Sequence, residues 1–296
     1  MSRDWETQFR QWAKPPSKTE QERCDNALSA VRQAVTASAK LHTREISVFC
    51  HGSYRNNTNV RQDSDVDIGI LCTDVCFCDL PQGTTDETFG LKPATYSFEQ
   101  YKNEVEDALV NHFGRTAIKR GNKAFDVHET SYHVEADVAP FFEHRRYQTN
   151  GIPLKGVELR TDKGNSRVIN WPEQHYENGV RKNTQTGMRF KSIVRVLKAL
   201  SNEMLEANIK AGDIPSFLVE CVVWNVPNEN LQNYDYTANV RDALIFLYNN
   251  TKTEEPCKEW VEVSELKYLF RPSQKWTRDQ LNTFTVSAWN YLGFGS

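Results

Sequence analysis

The sequence predicts an α+β protein with a helical lobe behind a mixed front lobe, and three observations carry that expectation. Strand-like and helical runs alternate from the N-terminus to about residue 165. One strand-like run, "DVDIGILC", holds two aspartates a single residue apart. Beyond about residue 165 the apolar period becomes helical and stays so. The expected division is therefore 1–165 for the front lobe with its N-terminal helix, and 166–296 for the helical lobe.

The elements are expected in this order. Ser17 or Thr19 caps a helix that runs through the alanine-rich stretch to about residue 40. "EISVFC" (45–50) reads as a strand, "HGSYRNNTNVRQDS" as a loop or short helix, and "DVDIGILC" as a second strand beside the first. Residues 74–95 read as irregular. "SFEQYKNEVEDALVNHFG" is a helix, with Tyr101, Val105, Ala108, Leu109 and His112 at helical spacing and Gly114 ending it. "TAIKRGNKAFDVHETSYHVEADVAPFF" has the shape of two or three strands turning at Gly121, and residues 143–172 read as polar loop. Helices follow in "TGMRFKSIVRVLKALSNEMLEANI", "PSFLVECVVWNV", "NVRDALIFLYNN" and "TRDQLNTFTVSAWNYLG".

Composition excludes several classes of function. The 296 residues are 39% hydrophobic and 25% charged, an ordinary balance for a globular protein. No run has the length of a membrane span, and "MSRDWETQFRQW" lacks the apolar core of a signal peptide, so the expectation is a cytoplasmic protein without a membrane partner. A net charge of −3 and a pI near 6.2 lack the basic footprint of a protein that grips long nucleic acid. Seven cysteines without a secretion signal imply reduced thiols. Cys72, Cys76 and Cys78 lack a second pair at zinc-ribbon spacing and read as packed or loop cysteines.

Strand side chains repeat with period two, so Asp65 and Asp67 share a face and Val66 and Ile68 take the other. Two such carboxylates repel each other, and a divalent cation removes that penalty. Oxygen ligands suit Mg²⁺ or Mn²⁺, and magnesium keeps places in its shell for water or phosphate oxygens. An Asp-x-Asp pair is also a common polar strand end, but two neighbours add weight. Gly52-Ser53, just after a strand, can hold a phosphate through backbone N–H groups and a small hydroxyl. In "HVEADVAP", Val134, Ala136 and Val138 form one face while Glu135 and Asp137 share the other. Asp137, at the apolar end, is the chosen third carboxylate, with Glu135 the alternative.

Taken together, "GSYRNNTNVRQDSDVDI" and "EADVAPFF" resemble the polymerase-beta-like nucleotidyltransferase superfamily. Within it the chain is similar to the cGAS/DncV-like nucleotidyltransferases (CD-NTases) of bacterial anti-phage systems. "WPEQHYENG" and "PSFLVECVVWNVPN" resemble clade E in particular, and the likeness runs from "QWAKPPSKTEQERC" to "WNYLGF". The resemblance implies a polymerase-beta-like core with a mixed sheet and a helical lobe completing the nucleotide-binding cleft. It implies an enzyme that joins nucleoside triphosphates, here UTP and ATP, into a cyclic di- or trinucleotide and releases pyrophosphate. The product would activate a separate effector, and the enzyme would act as a monomer. Carried over, Gly52 and Ser53 hold the donor triphosphate, Asp65 and Asp67 bind two Mg²⁺ (or Mn²⁺) ions, and Asp137 binds the ion that activates the acceptor hydroxyl.

In "MRFKSIVRVLKAL", Phe190, Ile193, Val194 and Leu197 form the apolar stripe. Lys191, Arg195 and Lys198 share another face, which on residues alone reads as a solvated basic surface. The resemblance assigns Lys198 and Ser216 to the donor triphosphate, with Pro215 placing Ser216 in a first helical turn. It also makes Asn183 a candidate for uracil selection, since an amide matches the donor and acceptor edge of that base. Asn183 equally suits a loop or cap. The expected product is a uridine-containing cyclic dinucleotide such as cyclic UMP-AMP or cyclic di-UMP. The alternatives are a linear RNA- or tRNA-tailing transferase and a nucleotide-binding sensor without turnover. The tail "YLGFGS" is a conceivable conjugation site.

Overall fold

The computed structural model describes residues 3–60, 65–128 and 135–295. Residues 61–64 of the expected loop, Val134 of the expected strand face and Ser296 of the tail lie outside the described residues. The chain forms two compact units: one takes the described residues of Met1–Pro16, Arg55–Ser64 and Glu173–Ser296, the other those of Ser17–Tyr54 and Asp65–Pro172. This division is not the single cut near residue 165 that the sequence suggests. The N-terminal helix α1 (Trp5–Trp12), capped by Asp4, buries Phe9 completely in the core of the helical unit and so belongs with it.

In the sheet unit, α2 (Lys18–Thr36) begins at Ser17 with a capping box closed by Glu20. It buries Cys24, Ala27, Val31, Ala34 and Val35. The strands are β1 (Ile46–Cys50), β2 (Val66–Asp79), β3 (Ile118–Arg120), β4 (Phe125–Val127), β5 (Ala136–Tyr147), β6 (Pro153–Arg160) and β7 (Arg167–Asn170). They lie in the order β1-β2-β5-β4-β3, with β6 pairing β5 and β7 pairing β6. The β2–β5 pair is parallel and the other pairs are antiparallel, so the sheet is mixed. A short helix α3 (Gly52–Asn56) follows β1.

Helix α4 (Phe98–Phe113), capped by Ser97, buries Tyr101, Val105, Ala108 and Leu109 on the expected stripe, but His112 is exposed. The stacked rings of Tyr101 and Phe142 (5.1 Å between centroids) and the bond from the Tyr101 hydroxyl to the Ile70 carbonyl (2.6 Å) tie α4 to the sheet.

Two stretches read as loop are strand. β2 continues past Cys72 to Asp79, with its register against β5 slipping between Cys72 and Cys76. Thr73 and Asp74, which break the apolar alternation, mark that irregularity. Residues 143–172 hold the end of β5 together with β6 and β7. Their polar look hides an internal ion network. Glu158 and His144 are fully buried and 2.9 Å apart, and Arg167 and Arg160 reach Glu158 at 2.9 and 3.2 Å. Burial alone would raise the Glu158 carboxyl, but hydrogen bonds with His144 and Arg167 and the charges of Arg167 and Arg160 hold it below the usual range. Charges that neutralise one another can occupy core positions without leaving a hydrophobic pattern in the sequence.

The helical unit is built from α1, α5 (Pro172–Gln185), α6 (Arg189–Glu206), α7 (Ser216–Asn225), α8 (Tyr236–Thr251) and α9 (Arg278–Tyr291). Phe190, Ile193, Val194 and Leu197 of α6 are fully buried, as the stripe predicts. No helix among the described residues is long and apolar enough to cross a membrane.

Candidate active site

In the sheet unit, the parallel register sets Asp67 directly opposite Asp137. Val66 and Ile68 on one strand, and Ala136 and Val138 on the other, turn into the core. The period of two therefore leaves both carboxylates on the opposite face of the sheet, on strands about 4.8 Å apart. Asp65 is exposed and immediately precedes β2. Glu135, the alternative third carboxylate, precedes β5, is exposed, and has His128 Nδ1 3.7 Å away. Asp137 is the half-buried member of that pair.

The same row contains a carboxylate that the sequence reading missed. Asp126 on β4 is the register partner of Asp137 and lies 3.1 Å from Lys119 on β3. The cross-strand order is thus Asp67, Asp137, Asp126, Lys119. The signal was present: Asp126 alternates between buried Phe125 and Val127 just as Asp67 does between Val66 and Ile68. Burial, then the charges of Asp126, Asp65 and Glu135, push the Asp137 carboxyl above its ordinary range. Among the described residues no group of three or more His, Cys, Asp or Glu side chains is gathered as a metal-holding cluster. What the face offers is an aligned, oxygen-only, mutually repelling donor set, the chemistry a hard divalent cation fits.

Gly52 is dictated by Asp67. It opens α3 at φ +64, and a Cβ placed on it would stand 2.0 Å from Asp67 Oδ2. Only a residue without a side chain lets the carboxylate lie against this backbone. The His51 N–H, donating to the Asp67 carbonyl at 3.0 Å, fastens the turn to the strand. Ser53 follows within α3 and is half-buried.

In the helical unit the basic face of α6 is not a solvated surface. Lys191, Arg195 and Lys198 are all buried, each with a separate task. Arg195 donates to the carbonyls of Ala13 and Asn57 and so ties two separate chain segments to α6. Lys198 Nζ sits 3.3 Å from Glu220 Oε2 on α7 and 3.5 Å from Thr58 Oγ1. The Thr58 hydroxyl donates to the same carboxylate oxygen at 2.6 Å, and His175 Nε2 lies 2.8 Å from Oε1. Burial alone would raise the Glu220 carboxyl, but Lys198, His175 and the Thr58 hydroxyl outweigh it and hold it at about 2. Ser216 is exposed at the first position of α7, with Pro215 as its cap residue, one turn before Glu220.

Asn183 lies in the last turn of α5 and is buried. Its Oδ1 accepts from the Lys191 N–H at 3.1 Å, which caps the start of α6 where Met188 turns the chain at φ 67. Among the described residues, its Nδ2 reaches the Met188 sulfur, at 3.2 Å. Two turns earlier on α5, the Tyr176 ring has Arg55 4.8 Å and Lys191 5.5 Å from its centroid. This ring between two cations, from the motif "WPEQHYENG", is a second feature the sequence reading missed.

The fold, with its mixed sheet and separate helical unit, is that of a nucleotidyltransferase. A family model for the cGAS/DncV-like nucleotidyltransferase C-terminal helical domain matches residues 177–293. The chain is 45% identical to the cyclic dipyrimidine nucleotide synthase CdnE of Cecembia lonarensis, over 99% of this chain and 100% of that protein. It is 36% identical to the cyclic dipurine nucleotide synthase of Elizabethkingia meningoseptica, over 98% of each. Among solved structures, the Rhodothermus marinus CdnE c-UMP-AMP synthase with Apcpp and Upnpp aligns with a TM-score of 0.86 at 25% identity, covering 98% of this chain and 97% of that one. The chain belongs to the cGAS/DncV-like nucleotidyltransferases.

Proposed function

We propose that the protein joins nucleoside triphosphates into a cyclic dinucleotide containing at least one uridine, with release of pyrophosphate, and that the product signals to a separate effector in anti-phage defence. The observation that carries this reading is the register of Asp67 with Asp137 over the backbone of Gly52. Asp65, Asp67 and Asp137 would hold two Mg²⁺ or Mn²⁺ ions, which when bound neutralise phosphate charge and acidify an attacking ribose hydroxyl. Gly52 keeps the Asp67 carboxylate in place, and Ser53 offers a hydroxyl to the donor phosphates. Lys198, with Glu220 and Thr58 beside it, and Ser216 are the further candidates for triphosphate contact.

Uridine is favoured by the 45% identical relative, a dipyrimidine synthase, over the 36% identical dipurine synthase. Asn183 supplies a matching side chain. Its Oδ1 retains a lone pair beside the Lys191 N–H, and its Nδ2 has a weak sulfur acceptor to exchange for a base carbonyl. Omitting one triphosphate at a time from a four-nucleotide mixture tests the reading. Loss of a phosphatase-resistant product on omission of UTP supports it; a product indifferent to UTP, or a linear one, overturns it.

A further inference from the structure

The three-cysteine stretch of β2 was left over from the sequence. Cys72 is fully buried, but Cys76 and Cys78 are half-buried and point the same way, with their sulfurs 3.4 Å apart. We propose that Cys76 and Cys78 form a reversible dithiol/disulfide site that is closed by a low-mass disulfide of the glutathione type.

The two sulfurs already lie 3.4 Å apart, but closure requires the strand to bend. Residues two apart on an extended strand have Cα atoms, and parallel Cβ atoms, roughly 6.7 Å apart, whereas a relaxed disulfide holds its Cβ atoms roughly 3.5–4.5 Å apart. A bond closed under that strain is readily reduced, the property of a reversible site and not of a structural one. The segment also has room to adjust. The pairing of β1 with β2 ends at Cys72, the register with β5 slips between Cys72 and Cys76, and beyond that point β5 is its sheet partner among the described residues. Cys76 faces Glu143 and Cys78 faces Arg145 across that pair, and Phe77 turns the other way onto Phe98 and Phe142.

The chemistry balances. The Cys76 thiolate attacks one sulfur of the small disulfide, forming a mixed disulfide and releasing one small thiolate. Cys78 then attacks the Cys76 sulfur, forming the intramolecular bond and releasing the second. The two protein protons leave on the two small thiols. Burial and the neighbouring Cys76 push the Cys78 thiol up to about 12, consistent with Cys76 reacting first.

The test is to equilibrate the full chain in glutathione buffers of graded ratio, quench in acid, alkylate the remaining thiols and map the peptides. Wild type is expected to show a Cys76–Cys78 disulfide that dithiothreitol removes, while half-buried Cys50 remains alkylatable. Cys78→Ser should stop at the mixed disulfide and accumulate at least ~10-fold more of it than wild type. Cys76→Ser, with a fold check by circular dichroism on both variants, should accumulate several-fold less adduct. Wild type that keeps both thiols, or that carries the same mixed disulfide as Cys78→Ser, overturns the proposal.

Discussion

Asp67 and Asp137 are direct register partners on the parallel strands β2 and β5, and the carboxylate of Asp67 rests where a side chain on Gly52 would have to be. A one-residue slip of either strand would turn its aspartate into the core, so hydrophobic burial of Val66, Ile68, Ala136 and Val138 is what holds the two acids on one face. Replacing Asp67 or Asp137 by Asn should leave the fold intact and lower turnover by about 10³-fold or more, the size of losing charge stabilisation worth several kcal/mol. Steady-state synthesis from labelled triphosphates reads this out, and turnover within tenfold of wild type would remove these acids from the site.

Gly52→Ala should damage the site with every carboxylate still present. The φ of +64 costs a side-chain-bearing residue about 1–2 kcal/mol, and the new methyl must displace Asp67. We expect a melting point lower by a few degrees and turnover reduced like that of Asp67→Asn. A variant with wild-type turnover would show that the position of Asp67 does not depend on Gly52.

Asp126 raises the Asp137 carboxyl from the neighbouring strand. A carboxylate must be deprotonated to bind a cation, so cation affinity should fall as pH drops through the raised Asp137 value. In Asp126→Asn that value moves down, and the loss of affinity should move to lower pH. At neutral pH the variant should bind Mn²⁺ about 5-fold more weakly, since a negative charge on the next strand contributes on the order of 1 kcal/mol. Mn²⁺ titration of the nucleotide-free protein followed by electron paramagnetic resonance measures both effects.

The buried Lys198–Glu220 pair links stability to pH. The folded Glu220 carboxyl stands at about 2, below its ordinary 4.5. Its stabilising contribution, on the order of 3 kcal/mol, is therefore present above pH ~4.5 and lost as pH falls towards ~2. Glu220→Gln should flatten that acid limb and leave Lys198 without its charge partner, costing about 3–5 kcal/mol at neutral pH. Urea unfolding across pH 2–7 decides the matter; an unchanged acid limb in Glu220→Gln would mean the pair is not what sets it.

Asn183→Ala should act in two ways. Loss of the contact to the Lys191 N–H should cost about 1 kcal/mol of stability. The preference for UTP over ATP, as a ratio of kcat/KM, should fall about tenfold or more. Stability loss with an unchanged ratio would leave Asn183 as a helix cap only.

Much of this was legible in the residues, and where it was not the reason is physical. The alternation around Asp67 and Asp137 and the Ser17 capping box wrote their structure locally, through period and hydrogen-bonding type. β6 and β7 were not legible, because buried Glu158 takes its partners His144 and Arg167 from the strands on either side, a pairing that leaves no hydrophobic pattern in the sequence. The basic face of α6 misled for the same reason: Lys198 and Arg195 look solvated until Glu220, Thr58 and the Ala13 carbonyl are placed around them. Asp126 carried the right signal on a strand of only three residues, too short to read with its partner unknown.

Cyclic synthesis is checked at its product, by identifying what the purified protein makes from UTP with ATP and Mg²⁺, by mass and by nuclease digestion after phosphatase treatment. The expected product is a phosphatase-resistant cyclic dinucleotide that contains uridine and disappears in Asp67→Asn. A linear product with a phosphatase-sensitive end, or a cyclic product built from purines alone when both substrates are present, would contradict it.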